Sequence, residues 1–226
     1  MGLEIQKRDL RILKLCYEQQ FLLVRHIQEF LYEDNYVEAK RRVRELKAAG
    51  LLEENPLKHR RAKLIQLTAT GKRFAAEQSS VEAGFTKIDP ALVEHDSIVT
   101  DVRLRLEQLW KGIWIPERAI RAMNQEEVPD GLFIFESGKK AAIEVENSLK
   151  GRTRFLERLA RWRPEQAHLI LYVATTEDIF LHLQHWMEGP GREPLPCLMR
   201  YTQLRIPDPE IWSPIGELDL FSEESI

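Results

Sequence analysis

Residues 130–146, DGLFIFESGKKAAIEVE, place two strand-length apolar runs on either side of Ser137-Gly138. Two such runs split by a glycine turn form an antiparallel hairpin. The register of that hairpin constrains the chain more than any other feature. Side chains alternate between the faces of a strand, so a one-residue slip moves every one of them to the other side. A two-residue loop at Ser137-Gly138 pairs Asp130 with Val145 and turns Asp130 away from the acidic face. A three-residue loop, Ser137-Gly138-Lys139, lets Gly138 take positive φ and pairs Asp130 with Glu146 and Leu132 with Glu144. This second register also gathers Phe133, Phe135, Ile143 and Val145 on one apolar face, and is expected for that reason.

In that register Glu144 and Glu146 share a face, roughly 6.6 Å apart by strand rise, with Asp130 beside them. Hard divalent cations take such oxygen ligands. A bound Mg²⁺ there, held by Asp130 and Glu144, could activate water and neutralise a phosphodiester transition state. The same carboxylates could instead form ion pairs with Lys150 or Arg154. Cleavage and ion pairing both remain open on these residues.

The elements around the hairpin follow from periodicity. Asp89-Pro90 reads as an N-cap with proline at the first helical position. The helix it opens carries Leu92, Ile98, Val102, Leu106 and Leu109 near one face. GIWIPERAIR suggests a strand, SLKGRTRFLERLARW a helix, HLILYVAT a buried strand, TEDIFLHLQHWME a helix and CLMRYTQLRI a last strand. The order α-β-β-β-α-β-α-β implies an α/β layer with a mixed sheet. On the helix after the hairpin, Lys150, Arg154, Arg158 and Arg161 recur at three- or four-residue spacing. Phe155, Leu159 and Trp162 face the sheet. Arg154 and Arg158 on that stripe could follow a phosphate backbone, or the stripe could be a solvated face paired to the carboxylates.

The front of the chain has a different rhythm. Leu10, Leu13 and Tyr17 mark one helix, and Val24, Ile27 and Leu31 a second. A third opens near Val37 with Ala39, Val43 and Leu46 inward and closes at Gly50. Its outer side presents Arg41, Arg44 and Ala48, flanked by Lys40, Lys47 and Arg42. LLEEN and KLIQLT then read as two strands around a basic loop carrying Lys58, His59, Arg60 and Arg61. Three helices and a hairpin with a cationic tip follow the winged-helix order. A helix fits the major groove, Ala48 permits close approach, and arginine can meet phosphate or guanine. The loop adds contacts that position without reading sequence.

Charge separates the two halves. Residues 1–78 hold 16 Lys/Arg against 11 Asp/Glu, and the remainder 17 against 25, giving a net charge of −3. A basic front on an acidic back argues for a nucleic-acid-binding module, residues 1–78, joined by a linker, 79–88, to a second domain over 89–226. With 43% apolar and 31% charged residues the 226-residue chain suits a globular protein. No apolar run is long enough to span a membrane, and the first residues do not resemble a signal peptide. Cys16 and Cys197 sit far apart in apolar contexts, so no disulfide is expected and the cytoplasm is the expected compartment.

The order of the second domain, with PD before one strand and EVE in the next, resembles the PD-(D/E)XK restriction-endonuclease-like fold. LTATGKRF, VEHDSIVTDVRLRL, VPDGLFIF, AAIEVENS and LILYVAT more particularly resemble the replication-relaxation family of plasmid and mobile-element proteins. That resemblance implies an N-terminal winged helix followed by a degenerate nuclease-like domain, an α+β or α/β chain overall. Asp130 and Glu144 match the motif's two acidic positions. Its third position, normally lysine, is Glu146, with Lys150 as a migrated lysine. The resemblance implies a non-catalytic, DNA-binding accessory or regulator in replication, mobilisation or transcription control. The alternatives are a Mg²⁺-dependent endonuclease targeted by the winged helix and a protein-interaction adaptor in a replication or mobilisation complex. Expected partners are double-stranded DNA, such proteins and a second copy as homodimer, with no membrane.

Overall fold

A computed structural model describes residues 3–56, 63–79, 81–82, 87–123, 127–188, 193–207 and 209–217. The chain is mixed α+β and divides into two compact units, Met1–Thr100 and Asp101–Ile226. The basic loop residues Lys58, His59, Arg60 and Arg61 lie outside the described residues.

The first unit runs α1 (Lys7–Gln19), α2 (Val24–Leu31), α3 (Tyr36–Ala48), β1 (Leu52–Pro56), β2 (Lys63–Leu67) and α4 (Ala69–Ala76). The Asp9 carboxylate opens α1 by accepting the Gln6 N–H at 2.6 Å, which satisfies a donor the helix itself leaves open. The buried face of α1 is wider than the stripe read from sequence. Ile12, Leu15 and Cys16 are fully buried beside Leu13, while Leu10 is half-buried. At the start of α2 the Leu23 N–H donates to His26 Nδ1 at 3.1 Å. That bond leaves the ring proton on Nε2, 3.4 Å from Ser97 Oγ. Asn35 caps α3 by accepting the Glu38 N–H at 3.1 Å, and Ala39, Val43 and Leu46 are buried as the spacing requires.

The end of α3 is tied to the start of α4. Gly50 takes φ +73, its N–H donates to Lys47 O at 2.9 Å, and Leu51 N–H donates to Leu46 O at 3.0 Å. This is the paired closure that favours glycine one residue past the cap. Thr68 Oγ1 then donates to Gly50 O at 2.5 Å while accepting the Gly71 N–H at 3.0 Å. A Cβ on Gly71 would stand 2.0 Å from the Leu51 carbonyl oxygen, so only glycine fits there. The LTATG stretch is therefore a clasp between two helix ends. β1 and β2 pair antiparallel with Leu52 opposite Leu67, and Leu22 adds a single bridge to Ile65 through bonds of 2.9 and 2.8 Å.

Helix α5 (Val93–Leu109) starts in the first unit, where Val93 packs with Phe21 and Leu64, and the division between units falls within it. It begins later than the sequence suggests. The Asp89 side chain accepts the Ala91 N–H at 2.9 Å in a preceding turn, and Leu92 is 52% exposed instead of facing a core. Val99, Val102 and Leu106 are buried.

The second unit continues β3 (Gly112–Pro116), α6 (Glu117–Ala122), β4 (Gly131–Phe135), β5 (Lys140–Glu146), α7 (Arg152–Arg161), β6 (Leu169–Ala174), α8 (Glu177–Met187), β7 (Leu195–Arg200), β8 (Trp212–Ser213) and β9 (Gly216–Glu217). These strands form one mixed sheet in chain order, parallel at β5–β6 and β6–β7 and antiparallel elsewhere. Two expected strands are shorter than read. GIWIPERAIR leaves the sheet at Pro116, which lacks a ladder donor, and becomes α6. The last long strand stops at Arg200, and Tyr201–Arg205 form a 3₁₀ turn whose Tyr201 hydroxyl donates to Asp101 at 2.6 Å.

The β4–β5 register also differs from expectation. Gly131 pairs with Ile143, which sets Asp130 against Glu144 instead of Glu146, and Leu132 against Ala142 instead of Glu144. The loop is Glu136-Ser137-Gly138, closed by Phe135 N–H to Lys139 O at 2.9 Å, with Gly138 at φ +83. Keeping Phe135 in place lets Trp110 meet both Phe133 and Phe135, at centroid distances of 5.2 and 5.0 Å. The slip is two residues, so every side chain stays on its expected face. Leu132, Ala142, Ile170 and Tyr172 pack with Phe155 and Leu159 of α7 and with α8, and Phe133 packs on the opposite face against Trp110.

Candidate nucleic-acid interface and carboxylate site

On the first unit the outward side of α3 carries Lys40, Arg41, Arg44 and Lys47 in unequal circumstances. Lys40 and Arg44 are exposed and make no ion pair among the described residues; Lys40 sits 5.4 Å over the Tyr36 ring. Arg41 donates from Nε to Glu38 at 2.9 Å and also pairs with Glu45, while remaining 45% exposed. Lys47 reaches Glu54 at 3.0 Å, and Lys63 joins the same carboxylate at 3.2 Å. Exposed pairs of this kind are weak because solvent screens them, so a phosphate can replace the carboxylate at little cost.

Arg42 belongs elsewhere, which corrects its assignment to the DNA-facing surface. It is buried, with Nε donating to Asp9 at 2.7 Å, Nη1 to Glu45 at 2.8 Å and Nη2 to both Glu4 O, at 2.7 Å, and Asp9. One guanidinium thus ties α3 to the first turn of α1. Sequence spacing did not reveal this, because Asp9 lies 33 residues away. The N-terminal end of the same outward face carries two apolar residues that charge patterning passes over, Tyr36 at 49% and Val37 at 77% exposure.

On the second unit Asp130, Glu144 and Glu146 come together at the end of β5. The Asp130 carboxylate accepts the Val145 N–H at 2.7 Å, taking the place of a ladder acceptor just where β4 begins. Glu144 is 1% exposed, and Arg158 Nη2 donates to its Oε1 at 2.6 Å. The same guanidinium lies 4.0 Å from Glu146, and Lys150 Nζ lies 3.8 Å from Glu146 on the other side. Burial above all, then the Asp130 charge, pushes the Glu144 carboxyl well above the usual carboxylate range, against the opposing pull of Arg158. Charged or neutral, Glu144 can accept the Arg158 N–H.

One oxygen of each carboxylate is engaged: Glu144 Oε1 accepts from Arg158 and Asp130 Oδ2 accepts from the Val145 amide. Among the described residues no three His, Cys, Asp or Glu side chains are disposed to hold a metal. Arg158 therefore faces inward, while Arg154 on the same helix is exposed. Of the other acidic residues on these elements, Asp101 is held by Tyr201 and Glu117 pairs with Arg121 at 2.5 Å. Cys16 and Cys197 are free thiols, and burial pushes Cys197 up to about 12. Among the described residues no helix is long and apolar enough to cross a membrane.

Comparison with protein-family models, with curated proteins and with solved structures finds no match to this chain.

Proposed function

We propose that this chain is a DNA-binding accessory or regulatory protein of a plasmid or other mobile element, in which a winged helix carries a nuclease-like domain that does not cleave. The observation that carries the reading is the outward face of α3. Four cations project from a helix capped at both ends, two of them without a carboxylate partner among the described residues and two in exchangeable surface pairs. The order of three helices, hairpin and fourth helix, with Leu22 bridging β2, supports the winged-helix assignment. The replication-relaxation resemblance is what supports the mobile-element setting.

The buried Glu144–Arg158 pair supports a binding role for the second domain over an endonuclease role. On this reading Arg158 supplies the positive group beside Glu144, and the acidic strand serves as structure. Gel shift of duplex DNA tests the first unit. Arg41→Glu with Arg44→Glu should abolish retardation at low ionic strength, and unchanged affinity would overturn the proposal. Supercoiled plasmid incubated with Mg²⁺ or Mn²⁺ tests the second unit. It should stay intact, and nicking that disappears in Glu144→Ala would establish the endonuclease instead.

A further inference from the structure

Next to the Glu144–Arg158 pair the second unit has a cavity of about 220 Å³. Among the described residues Lys150, Arg154, Arg158 and Arg161 line it against two carboxylates, Glu127 and Glu146. The internal pairings are loose: Arg161 reaches Glu127 at 3.4 Å and Lys150 reaches Glu146 at 3.8 Å. Arg154 is exposed and makes no ion pair among the described residues. The remaining wall is Ser148 and the apolar Leu149, Phe155, Leu183 and Trp186, with the Phe155 and Trp186 rings 5.7 Å apart.

Cations on a merely solvated helix face diverge into water, whereas these converge on one concavity, where low-dielectric walls strengthen their field. The guanidinium fork suits a phosphate oxygen pair, and an aromatic wall suits a base of any sequence. The volume is below the roughly 300–1,000 Å³ of sites that enclose a whole small molecule, so it admits a phosphate and one face of a base, with the rest of the nucleotide left in solvent, and not a duplex. Glu144 holds Arg158 in position from behind, which supplies a fixed positive group where a nuclease would rely on a metal ion.

We propose that this cavity binds a single phosphorylated nucleotide without a metal ion, its phosphate held by Arg154, Lys150 and Arg161 and its ring face lying against Trp186. The inference rests on the nucleic-acid role proposed above and adds a second, separate contact to it. The phosphate comes either from the end of a strand or from a free mononucleotide.

The test uses the full chain and a labelled single-stranded oligonucleotide of about 12 nucleotides, within the site sizes of single-strand-binding grooves. One version carries phosphates at both ends and the other hydroxyls, each measured by fluorescence anisotropy in EDTA and in Mg²⁺. The phosphorylated version should bind at least about tenfold more tightly, the scale of one charge-assisted contact. EDTA should leave that preference unchanged, and Arg154→Glu, a substitution at an exposed position, should remove it. Equal binding of the two versions, a preference that needs Mg²⁺, or one that survives Arg154→Glu would each overturn the proposal. Competition by dAMP at comparable concentration assigns the ligand as a free nucleotide, and failure to compete assigns it as a strand end. Duplex gel shifts on the same preparations separate the two levels. Retained duplex binding without an end preference removes only this inference, whereas insensitivity to Arg41→Glu with Arg44→Glu removes the function on which it rests.

Discussion

Arginine serves two opposite purposes in this protein, and burial decides which. Arg42 is enclosed by Asp9, Glu45 and a backbone carbonyl, whereas Arg44, half a turn further on, is exposed. Removing one partner of a buried pair strands the other charge and typically costs about 3–5 kcal/mol. Arg42→Ala should lower the unfolding free energy of the first unit on that scale in chemical denaturation. Arg44→Ala should stay within about 0.5 kcal/mol, as surface changes do, while weakening DNA binding. Glu144 leads to a pH prediction. Its pKa is raised in the folded state, so its contribution to stability is fully present below the ordinary carboxylate range and is lost as pH rises through the raised value. Glu144→Gln, which cannot ionise, should gain stability relative to the wild type as pH rises across that interval. Denaturant midpoints at several pH values check this, and a difference that stays flat or falls with pH would show that Arg158 keeps Glu144 ionised throughout.

At the scale of elements, α3 depends on what closes it. Asn35 holds its first turn and the Gly50 closure its last, and Thr68 fastens that closure to α4. Gly71→Ala should therefore be destabilising well beyond the propensity gain of alanine in a helix. Its methyl would meet a backbone carbonyl at 2.0 Å, and backbone yields only by moving α4 or the end of α3. Overpacking of this kind costs about 1–3 kcal/mol, and thermal unfolding together with the duplex gel shift would register both the loss and the displaced α3. If the variant unfolds like the wild type, the clasp does not hold α3. Strand pairing in the second unit follows a similar logic: the β4–β5 hairpin takes the register that keeps Phe133 and Phe135 under Trp110.

For the whole molecule, the excess of Lys/Arg over Asp/Glu in residues 1–78 is where the proposed DNA affinity would originate. Duplex binding should weaken steeply with salt, log K falling by roughly 0.9 per phosphate contacted for each decade of salt. Lys40→Ala and Arg44→Ala should each lower that slope by about one contact. Glu144→Ala should leave the slope unchanged, because its carboxylate is internal. A slope insensitive to both cations would place the electrostatic contact elsewhere on the chain.

Local chemistry was legible in the residues alone. Apolar spacing marked α1 to α3, the hairpin strands and the alternation around α7 and α8. A glycine-serine turn marked the β4–β5 hairpin, and period-two alternation kept Asp130, Glu144 and Glu146 on one face even though the pairing slipped by two residues. Tertiary structure alone decided which of several equivalent cations turns inward. Arg42 rather than Arg44 meets Asp9, and Arg158 rather than Arg154 meets Glu144, across separations of 33 and 14 residues. Helix periodicity offers both members of each pair, but a desolvated guanidinium is stable only opposite a carboxylate. The carboxylate's position is set by the packing of another element.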